Sequence, residues 1–131
     1  MMKSYQTEIR NLFNNACLAS SYYYIAVNGH FDWIECTEKI LEGIKKGYLG
    51  EDAYVGSPVS FFGLCGVHCK DILKKKGMPP RDDKAYAVQY TLEGKNHFVV
   101  VRNKEVIYDP WGYSDCVKFG IPVDYREIIY E

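Results

Sequence analysis

The sequence predicts an α+β fold in which helices precede an antiparallel β-sheet. Apolar residues recur at helical spacing in the first half of the chain, and the second half switches to an alternation of period two through Tyr86, Val88 and Tyr90. With 131 residues, of which 47% are hydrophobic and 15% aromatic, the chain can bury one real core. We therefore expect a single domain over residues 1–131.

The first two predicted helices have clear end signals. The first follows Asn14 and Asn15, either of which is a suitable N-cap, and it carries Cys17 in its first turn. The second is predicted over Asp32–Lys46, because acids come early, lysines come late and Gly47 follows. The apolar residues assigned to the two buried faces are Leu18, Tyr22, Ile25, Ala26, Trp33, Ile40, Leu41 and Ile44.

A third helix is predicted after Ser57-Pro58, which resembles an N-cap followed by a first-turn proline. Its first half contains two glycines, which weaken helices. Residues 78–83 contain two prolines and are predicted to be a linker. The apolar stripe of this helix consists of Phe61, Cys65, Cys69, Ile72 and Leu73, and it ends at Lys74, Lys75, Lys76 and Gly77.

Three strands are predicted in the second half. Residues 85–92 alternate, Gly94-Lys95 forms a turn, and Phe98–Val101 is a continuous apolar strand. A second turn at residues 102–104 leads into Glu105–Asp109. The expected arrangement is an antiparallel meander.

Charge and cysteine content limit the environment and the partners. The net charge is -1 with acids and bases mixed along the chain, so no basic surface for nucleic acid is expected. No segment approaches the roughly 18 to 20 apolar residues of a membrane helix, and Met1–Gln6 shows no secretory signal. The five cysteines are expected to be free thiols in the cytoplasm.

His97 and Asp109 stand at the start of one predicted strand and the end of the next. If the connecting loop is the three residues 102–104, opposed residues have indices that sum to 206, and 97 + 109 equals 206. The two side chains would then lie on one face, within reach of an imidazole–carboxylate hydrogen bond. A two-residue loop would place them on opposite faces.

Cys17 is the best candidate for a nucleophile that His97 could serve. A thiol in the first turn of a helix lies near unpaired backbone N–H groups and the positive end of the helix dipole, so we expect its pKa to fall below about 8.5. A histidine held by Asp109 could pair with the thiolate and later protonate the leaving group.

Other histidines and cysteines are weaker candidates. The segment Cys65-Gly66-Val67-His68-Cys69 suggests zinc, but Cys65 and Cys69 share an apolar helical stripe and no second ligand pair is present. We interpret them as core residues and expect no metal. His30 lies in a predicted turn with no acidic strand after it.

Two segments resemble papain-like cysteine peptidases. The run Asn96-His97-Phe98-Val99 is similar to their asparagine-histidine-small-valine strand, and Asp109-Pro110-Trp111-Gly112 is similar to their asparagine-serine-tryptophan-glycine segment. Asp109 in place of asparagine, and the small size, resemble the bacterial peptidases that process double-glycine leaders and their phage relatives. The resemblance covers residues 11–25 and 86–114 and implies a helix carrying the nucleophile packed on an antiparallel sheet.

The resemblance implies a role for each site residue. Cys17 matches the nucleophile, His97 the base and Asp109 the orienting acid. Asn11 lies six residues before Cys17, where the family places its oxyanion glutamine, although Asn14, Asn15 and Gln6 are further candidates. Trp111 would shield the His97–Asp109 pair from water or simply pack in the core.

Two functions follow from the sequence. The first is a thiol hydrolase that cleaves a peptide or isopeptide bond in a peptide or protein substrate without a cofactor. The second is a papain-like binding or accessory module without turnover, because the glycine-rich approach to the family's cysteine and the aromatic residue after it are missing around Cys17.

Overall fold

The computed structural model describes residues 16–112 and 114–131. The α+β class is observed: within the described residues three helices come first, and a five-stranded antiparallel sheet follows, with a short helix before its last strand. The oxyanion candidates Asn11, Asn14, Asn15 and Gln6 lie outside the described residues. The elements are α1 (Ala16–Ala26), α2 (Trp33–Lys45), α3 (Pro58–Leu64), β1 (Cys69–Lys76), β2 (Ala85–Leu92), β3 (Lys95–Arg102), β4 (Glu105–Tyr108), α4 (Asp115–Phe119) and β5 (Ile121–Tyr130).

Helix α2 begins and ends close to its predicted bounds. The Asp32 carboxylate accepts a hydrogen bond from the Ile34 backbone N–H at 2.9 Å, and Gly47 follows the helix with a φ of +80°. Ile40 is fully buried, but Leu41 is 52% exposed, so its predicted burial is wrong. Leu41 lies about 100° around the helix from Ile40, beyond the face that packs on the core.

The predicted third helix is wrong in its second half. Helix α3 ends at Leu64, and Gly66 adopts a φ of +112°, which turns the chain out of the helix. Cys69–Lys76 is the edge strand β1, because its backbone pairs with β5. Ile72 and Leu73 therefore alternate along a strand instead of sharing a helical face.

The sheet order is β1-β5-β2-β3-β4, and every neighbouring pair is antiparallel. The predicted meander of β2, β3 and β4 is confirmed, and residues 78–83 contain no helix or strand, as expected of a linker. Strand β5, which the sequence analysis does not assign, lies between β1 and β2 and joins the two parts of the sheet.

Each face of the sheet has its own core. Helices α1 and α3 cover the face that carries Ala87, Val100 and Ile128, and α2 packs on these two helices. The short helix α4 covers the opposite face, on which Val88, Val99 and Cys116 are buried. Among the described residues, no helix is both long and apolar enough to cross a membrane.

Candidate active site

His97 and Asp109 form a buried contact on the α4 side of the sheet. His97 Nε2 lies 2.6 Å from Asp109 Oδ1, and the exposed fraction is 0% for the His97 side chain and 8% for that of Asp109. An ionised carboxylate can only accept, so Nε2 is the nitrogen that carries the hydrogen. In the neutral ring Nδ1 then has a free lone pair, as a general base requires.

The contact is present, but the register that predicted it is wrong. Asn103 and Lys104, both with positive φ, form a two-residue turn, and Arg102 pairs with Glu105. That register alone would separate the two side chains. A β-bulge follows, so that Val100 pairs with Tyr108. The extra residue in β4 shifts the alternation of side chains by one, and Asp109 therefore lies on the same face as His97.

Three hydrogen bonds hold the Asp109 carboxylate. Besides the one from His97, Oδ1 accepts from the Trp111 backbone N–H at 2.9 Å and Oδ2 accepts from the Ser114 hydroxyl at 2.8 Å. Burial alone would raise the pKa of Asp109, but the hydrogen bond and charge of His97, with the bonds from Trp111 and Ser114, hold it below the ordinary value. The carboxylate is therefore a fixed, ionised partner for the imidazole.

The Trp111 indole covers the histidine. Its ring stacks on the His97 imidazole with centroids 3.7 Å apart and planes inclined by 18°. The same loop thus supplies the carboxylate at Asp109 and the aromatic cover two residues later. This arrangement fixes the plane of the imidazole and excludes water from the His97–Asp109 hydrogen bond.

Cys17 is the second residue of α1 and lies over the start of β3. The backbone N–H groups of Phe98, Leu18 and Cys17 itself lie near its sulfur and lower the pKa of the thiol. The Phe98 N–H belongs to the peptide group that joins Phe98 to His97. The thiol therefore approaches β3 at the residue next to the imidazole.

The expected low pKa of Cys17 is wrong. Burial raises the pKa of the thiol, the nearby charge of Asp109 adds to this rise, and the three backbone N–H groups offset only part of it. The backbone N–H groups expected at the start of a helix are present, but the removal of the thiol from solvent raises its pKa by more than they lower it. The resting thiol is neutral at physiological pH.

The thiol and the imidazole approach β3 from its two faces. His97 alternates with Phe98 and belongs to the face of Val99, whereas Cys17 lies on the α1 face. His97 Nδ1 is buried and has no hydrogen-bond partner among the described residues, so no bond to Cys17 is formed. Strand β4 pairs with β3 only over Val100–Arg102, which leaves the edge beside His97 and Phe98 without a strand in the described chain.

A groove of about 380 Å³ begins at Cys17 and crosses the sheet. Its floor contains Phe98 of β3, Gln89 of β2, Arg126 of β5 and Lys74 of β1. Its wall includes Leu18, Tyr22, Tyr54, Val55 and Pro58. The thiol of Cys17 is therefore next to a space that can hold a ligand.

The remaining cysteines and histidines do not assemble into a second centre in the described part of the chain. Within residues 16–112 and 114–131, no three His, Cys, Asp or Glu side chains are arranged to hold a metal ion. Cys65 and Cys69 are buried, and all five cysteines are free. The exposed His30 ring lies 3.2 Å from the Val27 carbonyl.

The sequence analysis missed several residues around the site. Ser114 holds the second oxygen of Asp109, and its place before Asp115 at the start of α4 is a recognisable N-cap signal. Lys74 and Arg126 reach the groove only through the pairing of β1 with β5. The alternating β-branched and aromatic residues of 121–130 are the signal that could have identified β5.

Comparisons with known proteins place the chain in a family without assigning it a function. No curated protein and no solved structure matches it. A family model described as a protein of unknown function, DUF261, matches residues 2–125. This match spans nearly the whole chain, which therefore belongs to the DUF261 family.

Proposed function

We propose that this protein is a papain-like thiol hydrolase that cleaves a peptide or isopeptide bond. The observation that carries the proposal is the buried His97–Asp109 pair, which leaves Nδ1 as the free nitrogen beside the strand residue that the Cys17 sulfur contacts. Its substrate would be a peptide or protein bound in the groove. Five free cysteines are in keeping with a reducing compartment, and we propose the cytoplasm.

The proposed reaction starts from a neutral thiol, because burial raises the pKa of Cys17. The two groups approach β3 from its two faces, so the reaction requires Sγ and Nδ1 to meet at the edge of β3 that β4 leaves unpaired. There His97 Nδ1 takes the thiol proton as Sγ attacks the substrate carbonyl carbon, and a tetrahedral intermediate forms. Asp109 stabilises the resulting imidazolium through Nε2–H. This differs from the resting thiolate–imidazolium pair that the sequence suggested.

The second half of the reaction returns the proton and releases the acyl group. The imidazolium gives its Nδ1 proton to the leaving amine, and the C–N bond breaks to leave a thioester on Cys17. Water, deprotonated by Nδ1, then hydrolyses the thioester and restores the thiol. The Cys17 backbone N–H is one proposed oxyanion donor, and Asn11 is the second.

Acylation by p-nitrophenyl acetate tests the proposal. We expect mass spectrometry to find an acetyl group on Cys17 at pH 7, and we expect His97→Gln to slow its formation about 100-fold, the usual size of general-base assistance. Cys116→Ala is the matched control, because Cys116 lies in the core under α4, on the sheet face away from α1. Equal acylation rates with and without His97 would rule out the proposed base.

A binding module without turnover is the second candidate function. It is favoured by the raised pKa of Cys17 and by the lack of a hydrogen bond between its sulfur and His97. On this hypothesis Cys17 is a core thiol and the groove alone is functional. Retained peptide binding in a protein whose Cys17 is never acylated would support the module.

A further inference from the structure

The groove beside Cys17 carries cations at the end far from the thiol. Lys74 and Arg126 are both in its lining and are directly opposed in the pairing of β1 with β5, so they lie side by side on one face. Among the described residues that line the groove, none is acidic. The nearest carboxylate is that of Asp124, which the structure buries to 8% exposure.

Asp124 is hydrogen bonded by Arg126 and Gln89, and Lys74 makes only a longer ion pair with it. Arg126 donates to its Oδ1 at 2.7 Å. The side-chain amide nitrogen of Gln89 donates to both Asp124 oxygens, at 2.9 and 3.2 Å. In the opposite orientation the amide oxygen would face the carboxylate oxygens, and no hydrogen bond could form. Lys74 Nζ is 3.9 Å from Oδ2, beyond hydrogen-bond distance, and its side chain is 65% exposed.

Arg126 is held in place, and Lys74 is available. The Arg126 guanidinium lies 5.0 Å from the centre of the Phe98 ring and pairs with the Asp124 carboxylate. One carboxylate thus faces two cations, and the excess positive charge is at the exposed ammonium of Lys74. Such a point favours an anionic group of a ligand.

We propose that the groove binds a peptide through a carboxylate placed at Lys74, with the bond to be cleaved at Cys17. The proposal rests on the proposed function and names its substrate class. Lys74 is on β1 and the thiol lies over β3, three strand spacings away in the sheet order.

The side walls suit the rest of such a peptide. Leu18, Val55 and Pro58 provide apolar surface between the thiol and Lys74, and the aromatic ring of Tyr54 is 62% exposed at the same groove. The bound segment is therefore an extended chain with apolar residues near the thiol and one acidic residue at the far end. An aspartate, a glutamate or a terminal carboxylate supplies the same chemistry.

Binding to a protein that cannot turn over tests the groove separately. The isotope-labelled Cys17→Ala variant is titrated by NMR with an acetylated pentapeptide amide of alanine and leucine that carries one glutamate, and with the matched glutamine peptide. We expect the glutamate peptide to bind threefold to fivefold more tightly, as a partly exposed ion pair allows, and added salt to remove the difference.

Two lysine variants provide a matched comparison. Lys74→Gln, made in the Cys17→Ala protein, should abolish the preference for glutamate. Lys75→Gln removes the same charge from the next residue of β1, whose ammonium pairs with Glu127, and should keep the preference. Equal affinity for the two peptides, absence of binding by both, or loss of the preference in both lysine variants would overturn the proposal.

Two further peptide experiments test where the carboxylate binds and whether a side chain or a C-terminus supplies it. Moving the glutamate along a chloroacetyl peptide that alkylates Cys17 should give one clearly fastest peptide, the one whose acid reaches Lys74, and rates independent of its position would contradict this placement. A glutamine peptide with a free C-terminus that binds as tightly as the glutamate amide identifies a terminal carboxylate as the source. A preference for carboxylate in a protein without acylation would refute the hydrolase and leave the groove proposal intact.

Discussion

His97 and Asp109 are on the same face of the sheet because of a β-bulge between their strands. The turn at Asn103-Lys104 has two residues and on its own would place them on opposite faces. The bulge between the Val101 and Val100 pairs adds one residue to β4 and restores the 2.6 Å contact. Bulges recur near active sites because they redirect side chains in this way.

Removing the Asp109 carboxylate should destabilise the fold. Asp109→Ala leaves three donors without their acceptor, namely the His97 ring, the Trp111 backbone and the Ser114 hydroxyl. We expect the free energy of unfolding to fall by about 3 kcal/mol in urea titrations. Asp83→Ala, in the exposed linker, is the control and should change it by less than about 0.5 kcal/mol. Equal effects of the two variants would contradict the described network.

The stability contributed by Asp109 should depend on pH in a defined direction. Its pKa is lower in the folded protein than the unfolded value of about 3.9, so the folded state binds the proton more weakly. This stability is fully present above about pH 5 and is lost as the pH falls through the folded pKa. The difference in unfolding free energy between wild type and Asp109→Asn should shrink below about pH 4. A difference that stays constant to pH 2 would contradict the lowered pKa.

The His97 ring should carry its hydrogen on Nε2, and Trp111 should protect that hydrogen. NMR of ring nitrogens at pH 8 is expected to show a slowly exchanging Nε2–H for His97 and none for the exposed His30. Trp111→Ala removes the ring stacked at 3.7 Å and should accelerate exchange at least tenfold. A hydrogen on Nδ1 would exclude this nitrogen as the base.

Helix α4 depends on a glycine at its C-terminal end. A Cβ on Gly120 would overlap the backbone oxygens of Cys116 and Thr91. Gly120→Ala should therefore lower the free energy of unfolding by more than about 2 kcal/mol, measured in urea. Gly56→Ala, whose nearest atom would be the Tyr48 oxygen at 3.8 Å, should change it little. A tolerated Gly120→Ala would contradict the packing of α4 on β2.

The sequence predicts the elements whose patterns are local. Strand β2 alternates, β3 contains the continuous apolar run 98–101, and α2 has its cap at Asp32, so their positions follow from neighbouring residues. The spacing of Cys65, Cys69 and Ile72 fits a helix equally well, and only the pairing with β5 makes 69–76 a strand. Periodicity does not record a partner that is more than fifty residues away in the chain.

The candidate site shows the same limit of local sequence patterns. The His97–Asp109 contact could be predicted because the two residues are twelve apart in one hairpin, although the bulge that makes it possible left no signal in the pattern. The raised pKa of Cys17 could not be predicted, because burial by distant segments outweighs the N–H groups of its own helix. The groove residues Lys74 and Arg126 meet only in the assembled sheet.

The pH dependence of Cys17 alkylation by iodoacetamide tests most directly whether His97 acts on this thiol. Because burial raises the pKa of Cys17, unassisted reaction should appear only above about pH 9. If His97 removes the proton, wild type reacts measurably at pH 7, His97→Gln slows that reaction at least tenfold, and the two rates converge as the pH rises. Identical rates for wild type and His97→Gln at pH 7 would contradict the account.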